Sequence, residues 1–175
     1  MNKRPIIIKI ILILLIWENL VFVLGLADTF IVHKSWSSFL IPSIILLAYA
    51  YIAGLLSLVS TIGVWRAKKW GWWTGALYFI FLVIINISLF IPLPGFIGMF
   101  SQSPLGISFY IERVCWGLFS ALIFLAFFKD NVLEYFGFQQ LPKTKVIAIL
   151  SLTALLILLI LVILMAKFTP YLNRI

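Results

Sequence analysis

The sequence predicts an all-α protein, a polytopic transmembrane helical bundle of about five spans. Three observations carry that expectation. Long apolar runs recur along the chain. The segments between them are short, with most of their basic residues on one side. Hydrophobic residues make up 65% and charged residues 10%, with a mean hydropathy of +1.22. A soluble domain carries roughly 25% charged residues, so water is not the main solvent for this composition. With 175 residues and no long loop, residues 1–175 read as a single integral membrane domain.

A span needs about 20 apolar residues, at roughly 1.5 Å of rise each. Residues 6–27 supply the first. Lys3, Arg4 and Lys9 before an apolar run, with Gly25 and Ala27 at its end, also have the layout of a signal peptide. Glu18 and Asn19 interrupt that run and it continues to Leu26, so the segment is read as a retained helix. The second span covers residues 39–65, with Pro42 in its first turn, where a missing N–H costs little. Arg66, Lys68 and Lys69 follow, among Trp65, Trp70, Trp72 and Trp73, as at a cytoplasmic interface with its aromatic belt. The third span covers 73–91 and ends at Pro92, Pro94 and Gly95. Ser103 and Pro104 suit an N-cap and first helical position, opening a fourth span over 104–128. Asn131 and Glu134 have capping-box spacing, and a short interfacial helix over 131–136 stops at Gly137. The fifth span covers 146–166.

Orientation follows from the basic residues. With the N-terminus cytoplasmic, nine lie inside: Lys3, Arg4, Lys9, Arg66, Lys68, Lys69, Lys129, Lys143 and Lys145. Four lie elsewhere: Lys34, Lys167, Arg174 and, in or near the membrane, Arg113. This positive-inside bias and an odd span count put the C-terminus outside. The net charge of +8 is therefore read as retention beside anionic head groups. No basic stripe or nucleic-acid-binding module accompanies it, so nucleic acid is excluded as a partner.

The run Gly63-Val64-Trp65-Arg66-Ala67-Lys68-Lys69-Trp70-Gly71-Trp72-Trp73 resembles the loop after the second helix in small prokaryotic four-helix membrane proteins of no assigned activity. Phe127-Phe128-Lys129-Asp130-Asn131-Val132-Leu133-Glu134-Tyr135-Phe136 resembles the amphipathic turn that closes them. The resemblance covers roughly residues 6–136, with the fifth span as an addition. It implies a four-helix architecture in a prokaryotic inner membrane and carries no activity onto any residue.

One histidine, His33, and one cysteine, Cys115, cannot furnish a zinc site, a disulfide or a redox pair. No cofactor is expected. Charged groups inside a span cost about 2.5–3.5 kcal/mol on insertion scales and are functional candidates. Glu18 and Arg113 lie at matched depths, each about 14 Å from the outer end of its span, which predicts a buried pair. Glu18, Asn19, Asn86, Glu112 and Arg113 are the candidate polar cluster in the outer half of the bundle. Ala50, Ala53, Gly54, Ser57 and Thr61 form a small-residue packing face at helical spacing on the second span. The seven Trp and sixteen Phe are expected mostly at the lipid or in the belt.

Two function classes follow. The first is a non-enzymatic accessory or structural bundle, acting by association with lipid, a membrane protein partner or a second copy, through the small-residue face of the second span or the amphipathic turn over 131–136. The second is a small transporter or permeation protein centred on Glu18. No paired carboxylates share a helical face and no phosphate-binding glycine loop is present, so an enzyme is not expected.

Overall fold

The structure is a computed structural model. It describes the backbone of residues 4–32, 40–88, 107–138 and 140–172, with side chains within 4–24, 51–87, 111–138 and 140–163. His33, Lys34, Ser103 and Pro104, the 92–95 breaker and Arg174 lie outside the described residues, as do the side chains of Asp28, Pro42, Ala50 and Lys167.

Among the described residues there are six helices and no strand. They are α1 (Ile6–Val32), α2 (Leu40–Trp65), α3 (Lys69–Ser88), α4 (Ile107–Ala126), α5 (Asp130–Tyr135) and α6 (Lys143–Leu172). Three segments are long and apolar enough to cross a membrane: Ile6–Leu24, Lys69–Ile87 and Lys143–Ile163. The third helix begins at Lys69, four residues before the expected start, so Trp70, Trp72 and Trp73 belong to the helix itself.

The middle element is α3. It packs on α2, α4 and α6, while α1 packs on α2. Its apolar segment is 44% buried, against 22% for those of α1 and α6, so α3 is the axis and the other two are periphery. The helix-period stripe Val146, Leu150, Ala154 and Leu161 is the buried side of α6. Leu152, Leu155, Leu156, Leu159 and Ile160 face outward.

The α2–α3 connection is three residues long, and backbone geometry explains how it can be. Lys68 N–H donates to Gly63 O at 3.0 Å and Ala67 N–H to Val64 O at 3.2 Å. This is the Schellman pattern, which satisfies two orphan carbonyls at the end of α2. Its left-handed position is Ala67, at φ 51°, where glycine is the usual residue. A second Schellman closure ends α5. Phe138 N–H donates to Leu133 O at 2.9 Å and Gly137 N–H to Glu134 O at 3.0 Å, with Gly137 at φ 74°. The expected stop at Gly137 is therefore found. The expected capping box is not: Lys129 is the N-cap, no side chain caps the helix, and Asp130 supplies the first-turn negative charge.

Gly63 and Gly71 bring α2 and α3 into backbone contact. A Cβ on either would collide with backbone atoms of the other. Beside this crossing, Trp72 is fully buried. Its rings meet those of Trp73, Phe127, Phe128 and Phe138 at centroid separations of 5.0–6.4 Å. Its indole N–H donates to Phe127 O at 2.8 Å, satisfying a carbonyl where α4 ends. A part of the aromatic set does not face outward. Trp72, Phe79, Phe81, Phe124, Phe127, Phe128 and Phe136 are core residues, because the ends of α3, α4 and α5 need large side chains to fill the space between them. Trp65 and Trp70 are exposed at helix ends, where a belt would hold them, and Trp17 and Trp116 are exposed along the middle of α1 and α4.

Candidate functional site

The candidate polar residues fall into two separate places, with Glu112 apart from both, and a groove that contains none of them makes a third feature. The first is a polar seam where α1 crosses α2. Asn19 Nδ2 donates to Thr61 Oγ1 at 2.8 Å and to Leu15 O at 2.7 Å. Ser57 Oγ donates to the same Leu15 carbonyl at 3.4 Å, and Thr61 Oγ1 donates to Ser57 O at 2.8 Å. Asn19 Oδ1 is buried and accepts no hydrogen bond. A Cβ on Gly54 would meet the Phe22 ring of α1 at 2.5 Å. The stripe Gly54, Ser57 and Thr61 is therefore occupied by α1 of the same chain. Ala53 packs toward the core clusters.

Glu18 extends this seam to α3. It is half-buried and accepts a hydrogen bond from the Tyr78 hydroxyl. Matched depth with Arg113 did not become contact: the two do not pair among the described residues. The reason is packing, since α1 lies on α2 and meets α3 through Tyr78, while α4 lies on the remaining flank of α3. Depth along a helix says nothing about azimuth around it.

The second place is the α3–α4 crossing. Asn86 is buried, and its Nδ2 donates to Leu82 O at 2.8 Å within α3. Its Oδ1 is buried without a hydrogen-bond partner. Asn86 faces Gly117, where an added Cβ would lie 3.4 Å from the Asn86 Cβ. Arg113 is one turn before Gly117 on α4 and is half-buried. Glu112 points elsewhere. It is exposed and lines a shallow hollow of about 360 Å³ with Cys115, Trp116 and Phe119.

The third feature adjoins the amphipathic turn over 131–136, one of the two association surfaces expected from the sequence, although its cavity was not expected. Between α5 and the start of α6 lies an open groove of about 950 Å³, lined by Leu133, Glu134, Phe138, Gln140, Leu141 and Lys143 among others. Lys143 Nζ meets Asp130 Oδ1 at 2.7 Å across one edge. Both side chains are substantially exposed, so this ion pair contributes little to stability. The signals that could have located the groove were present: Gly137 turns the chain and Pro142 restarts it, leaving a short bridge between two helices.

The groove lies at the basic end of the bundle. Contacts between helix ends define that end. Arg4 Nη2 donates to Trp65 O at 3.0 Å, Lys69 Nζ lies 5.6 Å from the Phe138 ring centroid, and Trp72 reaches Phe127. Arg4, Arg66, Lys68, Lys69, Lys129 and Lys143 are thereby brought to one end, as the alternation of helices requires.

Among the described residues no group of three or more histidine, cysteine, aspartate or glutamate side chains could hold a metal ion. No family model, curated protein or solved structure matches the chain.

Proposed function

We propose that the protein is a five-span bundle of a prokaryotic inner membrane, with its N-terminus cytoplasmic, that acts by association and not by catalysis. Helices α2 and α4 supply the second and fourth spans. They have 26 and 20 residues, about 39 and 30 Å of rise, against a hydrocarbon core of about 30 Å. The association surface is the groove between α5 and α6, presented to the cytoplasm, and its partner is another membrane protein or a second copy.

One observation carries this reading: the polar side chains where α1 crosses α2 bond across that seam, whereas the basic end keeps an open groove. Asn19, Ser57, Thr61, Glu18 and Tyr78 link α1, α2 and α3, which is the use of polar side chains expected between membrane helices. The small-residue stripe, the other candidate docking face, already holds Phe22 and Leu15. The groove mixes exposed Glu134 and Gln140 with half-buried Leu141 and Phe138, a composition suited to a protein contact with an apolar centre and a polar rim.

Photocrosslinking in intact membranes tests it. A photoreactive residue at Gln140 gives a discrete protein adduct, and Leu141→Glu removes that adduct while the bundle stays folded. The same probe at Leu152, on the outward side of α6, labels lipid alone. A second reading, transport through Glu18, is favoured by the unsatisfied Oδ1 of Asn19 beside it. No adduct at Gln140, together with vesicle proton flux abolished by Glu18→Gln, replaces association with transport.

A further inference from the structure

We infer that the turn between α2 and α3 is a binding site for the headgroup phosphate of an anionic phospholipid, held by Arg4, Arg66 and Lys68. The inference rests on the membrane reading above and deepens it by naming the lipid class and the residues.

The site is assembled by two short-range features. Ala67 in the left-handed region folds the chain back within three residues, placing Arg66 and Lys68 on either side of it. Both side chains are exposed. The start of α1 then brings in Arg4 from 61 residues away. Its guanidinium carbon lies 4.9 Å from the Trp65 ring centroid, and Nη2 donates to the Trp65 carbonyl at 3.0 Å. Stacking and that single bond hold the guanidinium in place. An arginine has five N–H donors, so the fork keeps donors for a second acceptor. A planar fork held on an aromatic face suits the oxygens of a phosphate.

No carboxylate lies within 4 Å of Arg4, Arg66 or Lys68 among the described residues, so three positive charges share one turn uncompensated. Trp65 and Trp70 flank them, 56% and 43% exposed. Exposed tryptophans settle at headgroup depth, which is where a lipid phosphate sits and where a soluble phosphate compound has no preference to be. That depth is why the source of the phosphate is assigned to lipid.

The experiment uses the full chain, purified and reconstituted in phosphatidylcholine vesicles containing a minor fraction of phosphatidylglycerol. Retention of phosphatidylglycerol through detergent re-extraction is read by native mass spectrometry. Neutralising Arg4, Arg66 and Lys68 to glutamine lowers retention by about fivefold per residue. Neutralising Lys9, Lys129 and Lys145 changes net charge equally without touching the turn, and lowers retention by clearly less than the turn variant. Arg4→Lys keeps the charge but loses the fork and lowers retention by about threefold. Equal losses in the two triple variants overturn the site in favour of diffuse attraction. Inorganic phosphate or glycerol phosphate displacing the lipid at millimolar concentration assigns the site to free phosphate and overturns the lipid assignment. Carbonate extraction from pure phosphatidylcholine vesicles reports separately on the membrane reading. A protein released there fails as a spanning bundle, and one that resists while retaining no phosphatidylglycerol loses only this site. Helix content by circular dichroism confirms that each variant is folded.

Discussion

Ala67 occupies a backbone conformation that its own side chain opposes. At φ 51° the Cβ crowds the following carbonyl, at a cost of about 1–2 kcal/mol. Glycine removes that cost but brings extra freedom to the unfolded chain, about 0.4–1 kcal/mol. Ala67→Gly is therefore expected to raise stability by about 0.5–1 kcal/mol. Gly137 holds the corresponding place after α5 at φ 74°, so Gly137→Ala lowers stability by about 1 kcal/mol. Thermal unfolding in mild detergent should shift in opposite directions for the two, and shifts of the same sign would refute this account of both turns. The seam between α1 and α2 gives a second test. Asn19 and Thr61 meet at 2.8 Å, and such bonds between membrane helices average about 0.6 kcal/mol. A double-mutant cycle with Asn19→Leu and Thr61→Val should return a coupling of that size; strict additivity would mean the contact carries no energy. At this scale the sequence identified the polar residues inside helices but not their partners. Tyr78 was the missing partner of Glu18. A phenol buried in an apolar helix needs an acceptor, and that need was the available signal.

The crossing of α2 and α3 depends on two glycines eight residues apart in sequence. The end of α2 was legible there, since Arg66 to Lys69 interrupts the apolar pattern, but the start of α3 was not, because Lys69 already belongs to the helix. The contact between Gly63 and Gly71 was not, because it depends on how the hairpin closes. Adding one methyl at Gly71 drives it into the Gly63 backbone, and backbone cannot yield as a flexible side chain can. Gly71→Ala should cost about 1–3 kcal/mol as overpacking, measured by denaturant titration in detergent. Gly117→Ala serves as the comparison. Its nearest neighbour would be the Asn86 Cβ at 3.4 Å, close to ordinary van der Waals contact, so a much smaller loss is expected. Helix propensity favours alanine at both positions by about 1 kcal/mol, so equal changes in the two variants would show that the crossing adds no cost at Gly71. Trp72 joins this crossing to the end of α4. Trp72→Phe keeps an aromatic ring but strips Phe127 O of the 2.8 Å donor, at a cost of about 1–3 kcal/mol for a buried carbonyl left unsatisfied. The stripe Gly54, Ser57 and Thr61 teaches the same lesson. Small residues at helical spacing announce a close neighbour, and only the fold says that the neighbour is α1.

At the scale of the whole molecule, the order of the described helices was readable from hydropathy, because apolar length is a property of contiguous residues. Which helix is central was not readable from hydropathy alone. Helix α6 has the highest mean hydropathy of the three long apolar segments, 3.3 against 1.6 for α3, yet α3 is the more buried. Greater apolarity here goes with greater exposure, the reverse of what a helix in water shows. Orientation remains the property with most consequence for function, since it decides which compartment the groove and the basic turn face. The contacts Arg4–Trp65, Lys69–Phe138 and Lys143–Asp130 gather the basic groups at one end. Moving such a cluster across a bilayer is opposed by the positive-inside bias of insertion. Dual-reporter fusions at Ala67, Gln140 and Arg174 should therefore read inside, inside and outside. An outside reading at Arg174 requires that residues 143–172 cross fully, which makes it the informative position. An inside reading there, with Ala67 and Gln140 unchanged, would make α6 a helix that does not cross and reduce the bundle to four spans. Outside readings at Ala67 and Gln140 would place the groove and the basic turn beyond the membrane, and the cytoplasmic partner of the groove would have to be abandoned.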